Sequence, residues 1–158
     1  MTLDLAAHWL HLLAAALWVG GNLAVALVVQ PALRSALAAE SRMAAYREIG
    51  WRFSILQWSS WAVLLGTGLF KLWGLRATPE VFAGVFGAIL GAKLCLIAAM
   101  AVLSLLHAYR WGPLLLSLPP SHPAFQENTA RMAFWGRVNA ALLVGIIGLA
   151  AALRFNPW

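Results

Sequence analysis

The stretch "LAAHWLHLLAAALWVGGNLAVALVVQPAL" (Leu5–Leu33) contains no charged side chain, and the nearest charges on either side are Asp4 and Arg34. About 20 consecutive apolar residues are enough for an α-helix to cross the hydrocarbon core of a bilayer. The stretch therefore predicts a membrane-spanning helix, and the remaining sequence can be analysed in that setting.

The overall composition indicates the same class of protein. Of the 158 residues, 63% are hydrophobic and only 10% are charged, whereas soluble domains carry about 25% charged residues. The net charge of +6 fits Lys and Arg flanking apolar spans better than it fits nucleic-acid binding. The single cysteine, Cys95, excludes an intrachain disulfide and a CxxC metal motif. We expect an integral protein of the lipid bilayer with no nucleic-acid partner.

Four apolar segments predict four spans. They cover residues 5–33, 53–73, 89–109 and 132–153. Backbone polar groups in lipid need internal partners, so the predicted fold class is an all-α integral membrane four-helix bundle, with residues 1–158 as a single domain. Residues 34–52 indicate a helical, solvated connection, and the glycine-rich residues 81–93 predict a bent lead-in to the third span. No internal repeat is evident.

The distribution of basic residues predicts the orientation. With four spans, both termini lie on one side of the membrane, and the first and third loops lie on the other. These two loops hold most of the basic residues: Arg34, Arg42, Arg47, Arg52, Arg110, Arg131 and Arg137. The positive-inside bias then places both termini outside, on the periplasmic side of a bacterial inner membrane.

Two stripes of residues at helical spacing run along the first and third spans. The first stripe contains His8, His11, Trp18 and Asn22. The second contains Lys93, Met100, Ser104 and His107. Steps of three, four and seven residues match the face by which helices meet in a bundle. Since ionisable groups within spans usually face the bundle interior and mark function, the stripes predict an internal polar site.

Most of these residues also have a structural interpretation, which stays open. His8 lies near the membrane edge, where water can hydrate it. Lys93 can extend its ammonium to the headgroups along its own stem. His107 suits the membrane interface, and Met100 suits core packing.

Depth along the helices restricts which residues can share a haem. His11 and Lys93 lie at similar depth on helices that run the same way. His107 is about 21 Å beyond Lys93 at 1.5 Å per residue, so His11 and His107 cannot hold one iron. His8 and His11 leave the same helical face and cannot occupy opposite axial positions. Any haem would therefore have one histidine ligand from this chain, with the other position open, filled by another group, or supplied by a second subunit.

The segment His8–Arg34 resembles the first helix of the copper resistance protein D family. The matching pattern is a histidine, then Trp-x-Gly-Gly, then Pro-x-Leu-Arg. The resemblance continues through "LLGTGLFKLW" (Leu64–Trp73) and "GAKLCLIAAMAVLSLLHAYRWGPLL" (Gly91–Leu115). It implies a multi-pass membrane protein concerned with copper.

The chain is also similar to the small four-helix protoporphyrinogen oxidases of bacteria. In those haem-associated proteins, a histidine on the first helix and a lysine on the third are taken to be essential. These positions fall on His11 and Lys93 here. The resemblance implies haem b as cofactor and a haem-dependent oxidoreductase activity.

Three functions follow. The first is a haem- or porphyrin-binding redox protein, with quinone or a respiratory-chain protein as electron acceptor. Its cofactor residues would be His11 as iron ligand, His8 as second choice, Lys93 at a propionate, Trp18 as an aromatic wall, and Met100 and His107 as further contacts. The alternative is copper binding or transport, with His8 and His11 as a ligand pair. The third is an accessory subunit of a respiratory complex. A homo-oligomer is compatible with each function.

Overall fold

The computed structural model describes residues 2–119 and 121–155, with the backbone alone for Ala39. These residues form helices and connecting turns without a β-strand, which confirms the all-α class. The elements are α1 (Leu3–Ala24), a π-helical segment (Val25–Val29), α2 (Gln30–Ala36), α3 (Ala39–Leu75), a 3₁₀ turn (Pro79–Ala83), α4 (Val85–Leu106), a second π-helical segment (His107–Trp111), α5 (Gly112–Ser117) and α6 (Pro123–Phe155).

Four helical stretches of this described chain are long and apolar enough to cross a membrane. They are Leu3–Ala36, Glu40–Leu75, Val85–Ser117 and Pro123–Phe155. Each contains one of the four spans predicted from the sequence, as expected for an all-α membrane bundle. Many of their large apolar side chains are exposed, including Leu27, Val28 and Leu69. Such faces fit contact with lipid.

The chain divides into two compact units, Met1–Thr78 and Pro79–Trp158. In the first unit, α1 packs antiparallel against α3. As the chain advances along α1, its residues contact progressively earlier positions of α3. Three side-chain pairs define this register: His8 with Lys71, His11 with Thr67, and Trp18 with Trp61.

A close helix approach continues this register at Gly21. A Cβ added there would lie 3.1 Å from Phe53 Cε2 and 3.3 Å from Leu56 Cδ2. At the neighbouring Gly20, an added Cβ would have nothing within 4 Å. Of the two adjacent glycines, Gly21 is therefore the one that lets α1 and α3 pack closely.

The second unit is also a helical hairpin, formed by α4 and α6. Its two most deeply buried side chains are Met100 and Leu143, each 1% exposed. The buried Asn128 donates an Nδ2–H to the Trp111 carbonyl oxygen at 3.1 Å, which ties α6 to the second π-helical segment. Gly145 packs against Leu96, since an added Cβ would lie 3.1 Å from Leu96 Cδ1.

The two units repeat one architecture, which the sequence analysis missed. The first π-helical segment begins at residue 25 and the second at residue 107, an offset of 82 residues. The same offset relates the helix starts Leu3 and Val85 and the prolines Pro31 and Pro113. It also relates one buried core pair to another: Trp18 and Trp61 to Met100 and Leu143. The equivalent core positions carry different side chains, so the repeat is one of backbone structure.

Each π-helical segment ends two residues before a proline. Proline has no N–H to donate, and its ring clashes with the carbonyl four residues earlier in an α-helix. A widened turn relieves this clash while the helix continues. Pro31 and Pro113 therefore sit within continuous helical stretches instead of ending them.

The connections adjust two sequence predictions. Residues 34–52 are helical as expected, but the helix is interrupted after Ala36 and resumes at Ala39. Ahead of the third span, the bend lies in the 3₁₀ turn and at the extended Gly84, and regular helix begins at Val85. The latter part of the predicted glycine-rich lead-in is thus ordinary helix. Gly87 is required there, because a Cβ would overlap the Phe82 carbonyl oxygen.

Replacing Gly21 with valine should destabilise the first hairpin by about 1–3 kcal/mol, the usual range for overpacking a core. The added side chain has to displace Phe53 and Leu56. Thermal unfolding of the purified chain in detergent measures the effect. The matched control is Gly20→Val, which makes the same substitution one position away and should leave the unfolding temperature nearly unchanged. Equal losses in both variants would contradict the close approach.

Candidate functional site

A threonine on the facing helix selects the tautomer of the neutral His11 ring. His11 Nδ1 lies 2.7 Å from Thr67 Oγ1. The Thr67 hydroxyl donates its only hydrogen along its own helix to the Val63 carbonyl oxygen at 2.6 Å. Thr67 must therefore accept from His11, so in the neutral imidazole the proton lies on Nδ1. Nε2 is then the nitrogen with the lone pair, the atom by which a histidine ligates a metal.

His8, one turn nearer the start of α1, meets a different partner. Lys71 Nζ lies 2.6 Å from His8 Nδ1. An ammonium can only donate, so His8 accepts at Nδ1 and its proton lies on Nε2. The two histidines of one helical face therefore adopt opposite tautomers, each selected by α3.

These four residues, His8, His11, Thr67 and Lys71, are called the polar cluster below. His8 is exposed, while the other three are half-buried. Gly68 borders the cluster, since a Cβ there would lie 3.9 Å from His11 Cε1. A shallow cleft opens beside it, lined by Asp4, Phe70, Lys71, Trp73, Gly74 and Leu75. The cluster thus lies at the open end of the first hairpin.

An aromatic pair lies deeper in the same hairpin. Trp18 and Trp61 are 5% and 8% exposed and meet edge to face, with ring centroids 5.5 Å apart. Neither indole Nε1 has a hydrogen-bond partner among the described residues. Trp18 is seven residues beyond His11, about 10 Å along the helix axis. The interior of the hairpin therefore changes from polar to aromatic within two turns.

The predicted site residues of the second unit lie in other surroundings. Lys93 is half-buried on α4, and its pairing with His11 stays a prediction. Met100 belongs to the core of its own hairpin. His107 donates from Nδ1 to the Leu103 carbonyl oxygen at 2.9 Å, and its ring meets Trp111 edge to face at 4.8 Å. These contacts hold His107 within the second π-helical segment.

Sequence reasoning identified His8 and His11 but missed their partners. Neither Thr67 nor Lys71 belongs to the two stripes from which the polar site is predicted. A signal was present: the i,i+4 pair Thr67 and Lys71 on one helix can match the i,i+3 pair on an antiparallel neighbour. Using that signal requires knowing that these two helices pair and in which register.

The described residues contain no group of three or more His, Cys, Asp or Glu side chains that could hold a metal ion. A metal at the polar cluster would therefore have at most two imidazole ligands from it.

The family model for copper resistance protein D matches residues 47–153, more than half of the chain. The chain belongs to the copper resistance protein D family. No curated protein and no solved structure gives a significant match. Similarity to the protoporphyrinogen oxidases is not shown by this match and stays an expectation.

Membership of the copper resistance protein D family supports a multi-pass membrane protein linked to copper resistance. The matched range includes Thr67 and Lys71 of the polar cluster, while His8 and His11 precede it. The family match and the histidine geometry are thus separate observations that meet in one hairpin.

Replacing Thr67 with valine should allow the His11 ring to adopt both neutral tautomers. The substitution keeps the shape but removes the acceptor of the Nδ1 proton, so we expect a loss of about 1 kcal/mol in stability. The ¹⁵N signals of the His11 ring should also change from one tautomer to a mixture. NMR of ¹⁵N-histidine-labelled chain in micelles measures the second effect.

The control for this substitution is Thr129→Val in the second unit. The Thr129 hydroxyl makes the same kind of bond, to the Phe125 carbonyl oxygen four residues back at 2.7 Å. Losing it should leave the His11 ring signals unchanged. An unchanged His11 ring in Thr67→Val would mean that another group sets the tautomer.

Proposed function

We propose that this member of the copper resistance protein D family binds copper as its transported or transferred substrate at the polar cluster, with His11 Nε2 as the anchoring ligand. The observation that supports this most directly is the hydrogen bond from His11 Nδ1 to Thr67, whose hydroxyl hydrogen is already committed to Val63. Orienting the second nitrogen in this way prepares an imidazole for a metal.

The chemistry of the cluster favours copper as a small ion. Imidazole is a good ligand for copper, and His8 and His11 leave one helical face on adjacent turns. Two protein ligands suit copper(I), which tolerates low coordination numbers. A site with few ligands can also give up its ion to the next carrier, as transport requires. The softer side chains Cys95 and Met100 belong to the other unit.

Haem remains the second candidate for the same residue. An imidazole protonated at Nδ1 could also bind a haem iron, and the aromatic pair lies further along the same helix face. The haem would supply the redox chemistry, and His11 would bind and orient it. Quinone or a respiratory-chain protein would then be the electron partner. Copper is preferred because the family match points to copper handling.

The predicted orientation favours the capture of copper from the periplasm. We place the protein in the inner membrane with both termini outside, following the basic residues of the first and third loops. The polar cluster lies at the N-terminal end of α1, so it would face the periplasm. Copper would then reach His11 from the side where it enters the cell.

This orientation predicts the behaviour of terminal fusions. Alkaline phosphatase, which is active only in the periplasm, should be active when fused to the C-terminus. A fluorescent protein that matures in the cytoplasm should be dark at the same position. The reverse pattern would place the cluster at the cytoplasmic face.

Copper binding is tested by titrating the purified chain in nanodiscs with copper(I) against a coloured chelator. The wild type should bind about one equivalent. His11→Ala should weaken binding by more than about 100-fold, beyond the range typical for outer-shell partners. His8→Ala should weaken it by about tenfold, since a secondary ligand is lost.

His122→Ala is the matched control for these substitutions. His122 is an exposed loop residue that accepts a hydrogen bond from the Ala124 N–H at 3.1 Å. Its removal should leave copper affinity unchanged.

A visible spectrum of the same sample separates the two candidates. A Soret band lost in His11→Ala would establish haem, and histidine-independent copper binding would refute the copper site.

A further inference from the structure

The two histidines of the polar cluster are unequally prepared for a metal. His11 presents a lone pair at Nε2, as its bond to Thr67 requires. His8 presents none in this state, because Lys71 engages Nδ1 and the proton lies on Nε2. The ligand pair that copper needs is therefore only half assembled when Lys71 is in contact with His8.

We propose that Lys71 acts as a latch on copper retention, because it competes with the metal for the Nδ1 lone pair of His8. The latch is closed when Lys71 Nζ contacts His8 Nδ1 and open when the two atoms are apart. The proposal rests on the proposed function of His8 and His11 as the copper ligands. With the latch closed, copper is held by His11 alone and exchanges easily. With the latch open, copper takes the lone pair that the ammonium releases, and both histidines hold it. No proton moves in this exchange.

An acidic side chain near the contact between Lys71 and His8 can receive the displaced ammonium. Asp4, one turn before His8 on α1, lines the same shallow cleft as Lys71. A carboxylate there can receive the ammonium once it leaves the imidazole. Among the described residues of the first unit, the other charged or titratable side chains near this end of the hairpin are His11, which contacts Thr67, and Arg76, whose guanidinium stacks on Trp73 at 3.7 Å.

Charge reinforces the competition. A copper ion and an ammonium repel each other, and the repulsion is stronger where the surroundings are less polar than water. Lys71 is half-buried, so water screens it incompletely. Copper bound to both histidines and Lys71 in contact with His8 are thus mutually exclusive on two grounds: they use one lone pair, and they bring like charges together.

The direct test is copper(I) affinity of the full chain in nanodiscs, measured by chelator competition. Lys71→Met, which keeps the length and apolar stem, should tighten binding by about tenfold, as a hydrogen bond to a charged group is no longer in competition. Lys71→Arg keeps a charged donor and should tighten binding less than Lys71→Met does. In a His8→Ala background, Lys71→Met should tighten binding much less, because the contested ligand is absent.

Arg76→Met is the matched control for charge. It removes a cation from the same end of the hairpin without touching His8, so it should change the affinity less than twofold. A tightening equal to that of Lys71→Met would overturn the latch in favour of a general charge effect. So would equal tightening by Lys71→Met with and without His8.

A second measurement needs no copper. In the metal-free wild type, the ¹⁵N signals of His8 should show a protonated Nε2 and a hydrogen-bonded Nδ1. In Lys71→Met, they should show a mixture of tautomers, with the His11 signals unchanged. The failures are distinguishable. A wild type that binds no copper refutes the proposed function, whereas a wild type that binds copper but no tighter in Lys71→Met refutes the latch alone.

Discussion

The fold depends on one constraint: within hydrocarbon, each backbone N–H and C=O needs a partner from the protein itself. A chain with prolines inside its apolar stretches could break at each one and leave several groups unpaired. Instead, the helix widens into a π-helical turn ahead of Pro31 and again ahead of Pro113. Both helical stretches therefore stay long enough to cross a bilayer, and both hairpins can form.

The same constraint acts on polar side chains. Asn22 donates to the Trp18 carbonyl oxygen of its own helix at 2.8 Å, and the histidines of α1 are paired across the hairpin with α3. Pairing makes imidazoles tolerable in an apolar setting, and it also settles where their protons lie. The bond that pairs His11 with Thr67 therefore also leaves Nε2 of the neutral ring unprotonated, and Nε2 is the nitrogen of the proposed ligand.

Sequence patterns predicted the helical class and the four spans. His8, His11 and Trp18 all lie on the face that meets α3, as their spacing indicated. Thr67 and Lys71 were not predicted because the register between two helices depends on both segments. The periodicity of one helix does not specify it. The repeat escaped for another reason. Trp18 and Met100 occupy equivalent core positions yet share no side-chain chemistry, so the equivalence appears only in the backbone.

The π-helical turn at Val25–Val29 also fixes the rotational phase of the first hairpin. Successive residues of an α-helix are turned by about 100° around its axis, and a π turn accommodates one residue more than an α turn does. If the same residues formed unbroken α-helix, the extra residue would rotate everything before it by that angle relative to α2. His8 and His11 would turn away from Lys71 and Thr67 without any change in their own sequence. By absorbing the extra residue, the π turn keeps the two histidines aligned with α3 four turns away.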